Sequence, residues 1–89
     1  MTESSLNEIR MEFDSIDEAL LELLNRRAAL ALRIGEFKKN RGLGVHDQTR
    51  EQAVLEALFN RNRGPLEQRD IAEIYQAVFS VSRRLQGEK

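Results

Sequence analysis

The chain has 89 residues, a net charge of −1 at pH 7 and no cysteine, a length that suits one domain and leaves too little chain for two independent cores. The balance of 14 basic against 15 acidic residues argues against nucleic-acid or anionic-membrane binding, and the lack of cysteine excludes disulfides and thiolate metal sites. Because the N-terminus is polar and no long apolar run follows, we expect one cytoplasmic domain over residues 1–89, without a signal segment or spanning helix.

The first predicted element is a helix over about residues 5–39. Apolar residues recur at three- and four-residue steps along this stretch, which is the spacing of one helix face. They are Leu6, Ile9, Phe13, Ile16, Leu20, Leu24, Leu30 and Ile34. The stripe ends before the glycine-containing break at residues 41–44. At a rise of about 1.5 Å per residue, this helix is roughly 50 Å long.

Two shorter helices are predicted over about residues 47–61 and 67–86. Asp47 is a good N-cap for the first of them, and the break at Gly64-Pro65 precedes the second. The inward face of the third helix consists of Ile71, Ile74, Tyr75, Val78, Ser82 and Leu85. No segment alternates with period two for long enough to indicate a strand. The predicted fold class is therefore all-α, with three helices.

The length of the first helix predicts a homodimer. Helices of about 20 to 30 Å cannot cover a stripe of roughly 50 Å, and a second copy of the chain is the simplest cover. Residues 1–25 carry seven acidic side chains against Arg10 alone, whereas residues 26–41 carry six basic ones against Glu36 alone. Two antiparallel copies would set acidic halves against basic halves. A single helix matched to its own dipole explains the charges but not the length.

Arg27 interrupts the apolar stripe between Leu24 and Leu30. An arginine there must reach solvent, pair or bind a ligand, and on charge alone an ion pair is the commoner role. Lys38 lies about 20° around the helix axis from Arg27 and ~16 Å further along it. Both side chains are long, so their charged groups could converge on one small anion. Arg10 lies ~25 Å from Arg27 on a different face. Only in an antiparallel dimer could Arg10 reach such a pocket, that of the partner.

The two shorter helices add polar candidates to this set. They are Asp47, Arg50 and Glu51 in the first turn of the second helix, and Ser82 and Gln86 near the end of the third. Taken alone, they are also typical of a capped, solvated turn and of a frayed helix end. Nothing pairs a nucleophile with a base, and the single histidine, His46, is expected to be solvated in a loop. Such residues bind and polarise a small polyanion.

Taken together, these residues resemble the all-helical chorismate mutases over essentially the full chain. The spacing Arg-x16-Arg-x10-Lys, followed by Asp-x-x-Arg-Glu after a short glycine-containing loop, is specific as a set. The matching residues are Arg10, Asp17, Arg27, Gly35, Lys38, Asp47, Arg50, Glu51, Ser82 and Gln86. The resemblance implies an intertwined six-helix homodimer. It also implies the Claisen rearrangement of chorismate to prephenate, without a cofactor.

The resemblance also implies a role for each residue at the site. Arg10 of the partner chain, Arg27 and Arg50 would hold the two carboxylates of chorismate through charge-assisted hydrogen bonds. Ser82 would contact a carboxylate as well. Holding both carboxylates selects the compact conformer in which the bond-forming carbons approach each other.

The remaining implied roles concern the ether oxygen and the ring hydroxyl. Lys38 and the Gln86 amide would donate to the ether oxygen, where negative charge grows in the transition state. Glu51, with the backbone near Asp47, would bind the hydroxyl. Relatives with glutamate in place of Gln86 need it protonated, so glutamine implies activity that persists at neutral and higher pH.

Two departures from the family pattern keep alternatives open. His46 stands where some relatives have arginine, and the turn over residues 62–66 resembles that of mutase domains fused to DAHP synthases. A DAHP synthase is therefore an expected partner or fusion. The alternatives are a weakly active regulatory or ligand-sensing domain of an aromatic-pathway synthase, and an isochorismate pyruvate lyase. A purely structural dimer leaves Arg27, Ser82 and Gln86 unexplained.

Overall fold

The computed structural model describes residues 3–88. It contains three α-helices, α1 (Glu3–Asn40), α2 (Gln48–Arg61) and α3 (Gln68–Gln86), and no strand among the described residues. The predicted all-α class with three helices is confirmed, and the helix bounds agree with those predicted to within two residues. The chain divides into two compact units, Met1–Leu30 and Ala31–Lys89. A single domain over residues 1–89 stays a prediction, and residues 1, 2 and 89 lie outside the described residues.

The first unit contains only helix α1, whose apolar stripe is exposed. Ile16 is 61% exposed and Phe13 is 60% exposed. The other members of the stripe in this unit that are also exposed are Leu6, Ile9, Leu20, Leu24 and Leu30. Because these apolar residues recur at helical spacing, they lie on one face of α1. In this unit that apolar face is exposed. No helix within residues 3–88 combines the length and the apolar character that crossing a bilayer needs.

The second unit contains the end of α1 together with α2 and α3. Its buried apolar side chains are Ala31, Ile71 and Phe79, which are 3%, 8% and 7% exposed. The Tyr75 and Phe79 rings meet edge to face, with centroids 5.5 Å apart, a favourable arrangement for aromatic pairs. Ile74, which the sequence predicts on the inward face of α3, is 51% exposed. No described element of this unit covers that side of the helix.

Helix α1 ends in a Schellman motif. The backbone N–H of Leu43 donates to the carbonyl of Lys38 at 2.8 Å, and that of Gly42 donates to Lys39 at 3.2 Å. Gly42 has a φ of 65°, a conformation in which glycine avoids the strain that a Cβ would cause. This turn directs residues 43–47 back along the last turn of α1. It thereby places the loop beside the Lys38 side chain.

Gly35 lets α1 approach the end of α3 closely. A Cβ built on Gly35 would lie 2.8 Å from both the Cα and the carbonyl oxygen of Gln86, closer than real Cβ contacts allow. Gly35 is buried, and because it has no side chain and the nearest atoms of Gln86 are backbone atoms, the contact is between two backbones. The hydrogen of glycine therefore sets the helix separation that brings Lys38, one turn later, to Gln86.

Candidate functional site

Lys38 and Gln86 form the centre of the candidate site. Nζ of Lys38 donates to Oε1 of Gln86 at 3.0 Å and to the backbone carbonyl of Val45 at 3.0 Å. The two side chains come from the last turns of α1 and α3 and are half-buried. Val45 belongs to the loop that the Schellman turn directs back over α1. The ammonium group is thus held by two neutral acceptors from different segments.

Ser82 extends this hydrogen-bond chain along α3. Nε2 of Gln86 donates to Oγ of Ser82 at 3.3 Å, one helical turn away. An ammonium group has three N–H donors and a primary amide has two. Within the described residues, Lys38 uses two of its donors and Gln86 uses one. Each side chain therefore keeps one N–H that no described residue accepts.

The first turn of α2 holds three of the predicted site residues. Oδ1 of Asp47 accepts a hydrogen bond from the backbone N–H of Arg50 at 2.9 Å, so Asp47 is the N-cap that its sequence position predicts. Its carboxylate is therefore engaged in capping. Arg50 is exposed and Glu51 is half-buried. The turn holds Arg50 in solvent and directs Glu51 towards α3.

Glu51 pairs with Arg83, which is not among the predicted site residues. Nη1 of Arg83 donates to both carboxylate oxygens, at 2.9 and 2.7 Å, and the two side chains are 21% and 22% exposed. The hydrogen bond to Glu51 raises the pKa of Arg83 above its usual range. The only signal in the sequence is that Arg83 directly follows Ser82, because the pairing with α2 depends on helix packing.

His46 contributes a second basic group near Glu51. Its imidazole is partly exposed, as expected of a loop residue, but Nε2 lies 3.7 Å from Oε1 of Glu51. An open cleft of about 710 Å³ begins beside these two residues and continues between α2 and α3 to Gln76 and Phe79. The side chains of Lys38 and Gln86 do not line it. The cleft therefore borders Glu51 but not the Lys38–Gln86 pair.

The remaining predicted site residues, Arg10 and Arg27, lie in the first unit. Arg10 is exposed and Arg27 is half-buried. Both belong to α1, where 17 residues correspond to ~25 Å along the axis. The two guanidinium groups of one chain therefore cannot bind the same small carboxylate. The structure assembles Lys38, Ser82 and Gln86 into one group, and Glu51 with Arg83 into another.

Comparisons with known proteins identify relatives along most of the chain. The sequence profile of the family described as "Chorismate mutase type II" matches residues 9–87. A curated relative, the bifunctional chorismate mutase/prephenate dehydratase of Aquifex aeolicus, is 40% identical over 80 residues. The match covers 85% of this chain but 22% of that relative. The chain thus spans about a fifth of the length of this relative.

Two solved structures are similar to this chain over nearly its full length. Chorismate mutase (Form II) from Thermus thermophilus aligns with a TM-score of 0.91 at 28% identity, covering 96% of this chain and 97% of that one. The chorismate mutase from Helicobacter pylori, solved in complex with prephenate, aligns with a TM-score of 0.88 at 32% identity. That alignment covers 94% of this chain and 91% of the other.

The predicted proximity to mutase domains fused to DAHP synthases is wrong, because the bifunctional relative carries a prephenate dehydratase. That prediction rests on the turn over residues 62–66. Within this turn, Nδ2 of Asn62 donates to the carbonyl of Leu66 at 2.6 Å, and its Oδ1 accepts from the backbone N–H of Gly64 at 3.0 Å. The turn is closed by its own asparagine. The side chain of Asn62 therefore gives this turn a local structural role.

Proposed function

The chain belongs to the chorismate mutase type II family, and from that premise we propose that it isomerises chorismate to prephenate. The reaction is a Claisen rearrangement: one C–O ether bond breaks while one C–C bond forms, and no atom is gained or lost. It needs no cofactor, and its product serves aromatic amino acid biosynthesis. The single observation that carries the proposal is the pair of spare donors on Lys38 and Gln86.

These two donors match the charge that develops during the rearrangement. As the ether bond stretches, its oxygen becomes negative, and N–H groups already aimed at that position stabilise the transition state more than the ground state. Lys38 is bonded to Val45 and Gln86, and Gln86 is bonded to Ser82. These bonds fix both side chains before the substrate binds. Little reorganisation is then needed during the reaction.

Three arginines are proposed to bind the two carboxylates of chorismate. Arg27 and Arg50 act from the same chain as Lys38, and Arg10 comes from the partner chain. A guanidinium group can bind a carboxylate through two parallel hydrogen bonds, which fixes both its position and its orientation. Ser82 adds a contact to a carboxylate. Fixing both carboxylates favours the compact conformer that rearranges.

Glu51 is proposed to accept a hydrogen bond from the ring hydroxyl, together with the backbone near Asp47. Its half-buried carboxylate is held by Arg83, and a carboxylate has lone pairs for further donors. The hydroxyl takes no part in bond making or breaking. Glu51 therefore contributes to substrate recognition and orientation.

An intertwined six-helix homodimer is proposed as the active assembly. The exposed apolar stripe of α1 needs a cover, and its acidic first half and basic second half complement an antiparallel copy. Arg10 lies too far from Arg27 on its own helix to share one ligand with it. In such a dimer, Arg10 completes the site of the other chain.

The direct experiment is to incubate the purified chain with chorismate and to follow the loss of chorismate absorbance and the formation of prephenate. Turnover well above the uncatalysed rate is expected, and none at micromolar enzyme would contradict the proposal. A parallel incubation with isochorismate tests the lyase alternative, which predicts pyruvate release. Calorimetric binding of prephenate without turnover of chorismate would instead indicate a ligand-sensing domain of a larger aromatic-pathway protein.

A further inference from the structure

The contact between Arg83 and Glu51 joins α3 to α2 beside the proposed site. Nη1 of Arg83 lies 2.9 and 2.7 Å from the two carboxylate oxygens of Glu51. On the other side of the guanidinium group, Nε lies 3.4 Å from the carboxylate of Glu88. Arg83 is thus held between two acids, and the position of the Glu51 carboxylate depends on it.

We propose that Arg83 is a positioning residue that orients Glu51 to accept the hydrogen bond from the ring hydroxyl of the substrate. The inference rests on the proposed function and adds a residue to it. A glutamate has three rotatable side-chain bonds, so an unpaired one at the start of a helix samples many rotamers. A donor that contacts both oxygens at once selects one orientation of the carboxylate. The lone pairs that do not face Arg83 then point in a fixed direction.

Arg83 also compensates the charge of Glu51. The substrate is a dianion, and a carboxylate beside it repels it unless a cation is close to that carboxylate. A guanidinium group remains protonated throughout the range in which proteins are stable. Arg83 therefore lets an acidic side chain stand beside an acidic ligand. This charge compensation affects the binding of any dianionic substrate. The orientation of Glu51, in contrast, affects only a substrate that has the ring hydroxyl.

If the pair of Arg83 and Glu51 only held α2 and α3 together, a different result would be expected. Partly exposed ion pairs contribute little to stability, and whatever they contribute affects every substrate equally. The positioning role and the purely structural role of Arg83 are distinguished by comparing chorismate with an analogue whose ring hydroxyl is replaced by hydrogen. Charge compensation and folding act on both substrates and cancel in the comparison. The difference between the losses of kcat/KM for the two substrates then reports only the orientation of Glu51 towards the hydroxyl.

The experiment measures kcat/KM of the full chain for both substrates in the wild type, Arg83→Gln and Arg84→Gln. Arg84 is the matched control, because it is the neighbouring arginine, it is exposed and its loss changes the net charge equally. In Arg83→Gln we expect the loss for chorismate to exceed the loss for the analogue by at least about tenfold, within the ~10²-fold that a small misplacement of a group can cost. In Arg84→Gln, both values should stay within about twofold of the wild type.

Arg83→Lys gives the same comparison if Arg83→Gln fails to fold, as judged by circular dichroism. It keeps the charge but not the planar donor group, so its loss should again be larger for chorismate than for the analogue. Equal losses for the two substrates, or no loss at all, would overturn the positioning role while the wild type still converts chorismate. A wild type that does not convert chorismate would overturn the proposed function and this inference with it.

Discussion

Lys38 at the end of α1 donates a hydrogen bond of 3.0 Å to Oε1 of Gln86 at the end of α3, across 48 residues of sequence. The close approach of Gly35 to the Gln86 backbone makes this contact possible. Val45 and Ser82 take one further hydrogen bond each from the pair. Each of the two side chains is thus held by hydrogen bonds and keeps one N–H, and preorganised donors of this kind can stabilise a developing oxyanion.

Replacing Gly35 with alanine is expected to destabilise the fold. The new Cβ would lie 2.8 Å from backbone atoms of Gln86, and a backbone cannot rotate away as a flexible side chain can. Overpacking of this kind costs about 1–3 kcal/mol, although alanine's higher helix propensity offsets up to about 1 kcal/mol. Urea denaturation at a fixed protein concentration measures the free energy of unfolding.

Gly44→Ala is the matched control for this prediction. Nothing lies within 4 Å of a Cβ at Gly44, and its φ is not positive. Its free energy of unfolding should stay close to that of the wild type. Equal stability of the two variants would mean that the α1–α3 contact tolerates a methyl group.

Gln86→Glu should make the activity depend on pH. A carboxylate only accepts hydrogen bonds, whereas the neutral carboxyl can donate one to the ether oxygen. The ordinary pKa of such a carboxyl is about 4.3; the cation of Lys38 lowers this pKa, whereas a bound dianionic substrate raises it. Activity of the variant should therefore be highest in acid and fall by about tenfold for each pH unit above that pKa. The wild type should show no such fall, and parallel profiles of kcat against pH would contradict the role of Gln86.

The helices could be predicted from the sequence because their signals are local. The three- and four-residue spacing of the apolar residues and the N-cap at Asp47 depend only on neighbouring residues, and the structure has all three helices. Pairings between helices are different, because they depend on packing. The family resemblance implies that Lys38 and Gln86 serve the same ligand atom but not that they contact each other, and the contact of Glu51 with Arg83 is not among the predictions.

The apolar stripe of α1 should be an interface. Ile16→Glu places a charge within the stripe, where pairing with a second chain would bury it at high cost. The wild type is expected to sediment at about twice 10.3 kDa, and the variant as a monomer or an unfolded chain. Met11→Glu is the control, since Met11 is similarly exposed at 68% but lies about 140° away around the helix axis. A wild type that sediments as a monomer would contradict the dimer.

Mixing two inactive variants should restore activity if Arg10 acts on the partner's site. Chains with Arg10→Ala keep Lys38, and chains with Lys38→Ala keep Arg10. After subunit exchange, half of the dimers are mixed and each has one native site, so about a quarter of wild-type activity should return. Labelled chains verify the exchange. No recovery after verified exchange would show that Arg10 does not complete the other chain's site.

Lys38 is proposed to supply one of the two donors to the ether oxygen. The kcat for chorismate of Lys38→Ala, measured beside that of Lys39→Ala, tests this role. Both lysines lie in the last turn of α1, so the two variants lose the same charge, but Lys39 is exposed. We expect Lys38→Ala to lower kcat by ~10²–10³-fold, as the loss of an oxyanion donor does, while Lys39→Ala stays near the wild type. A Lys38→Ala variant with kcat close to that of Lys39→Ala would contradict the role of Lys38.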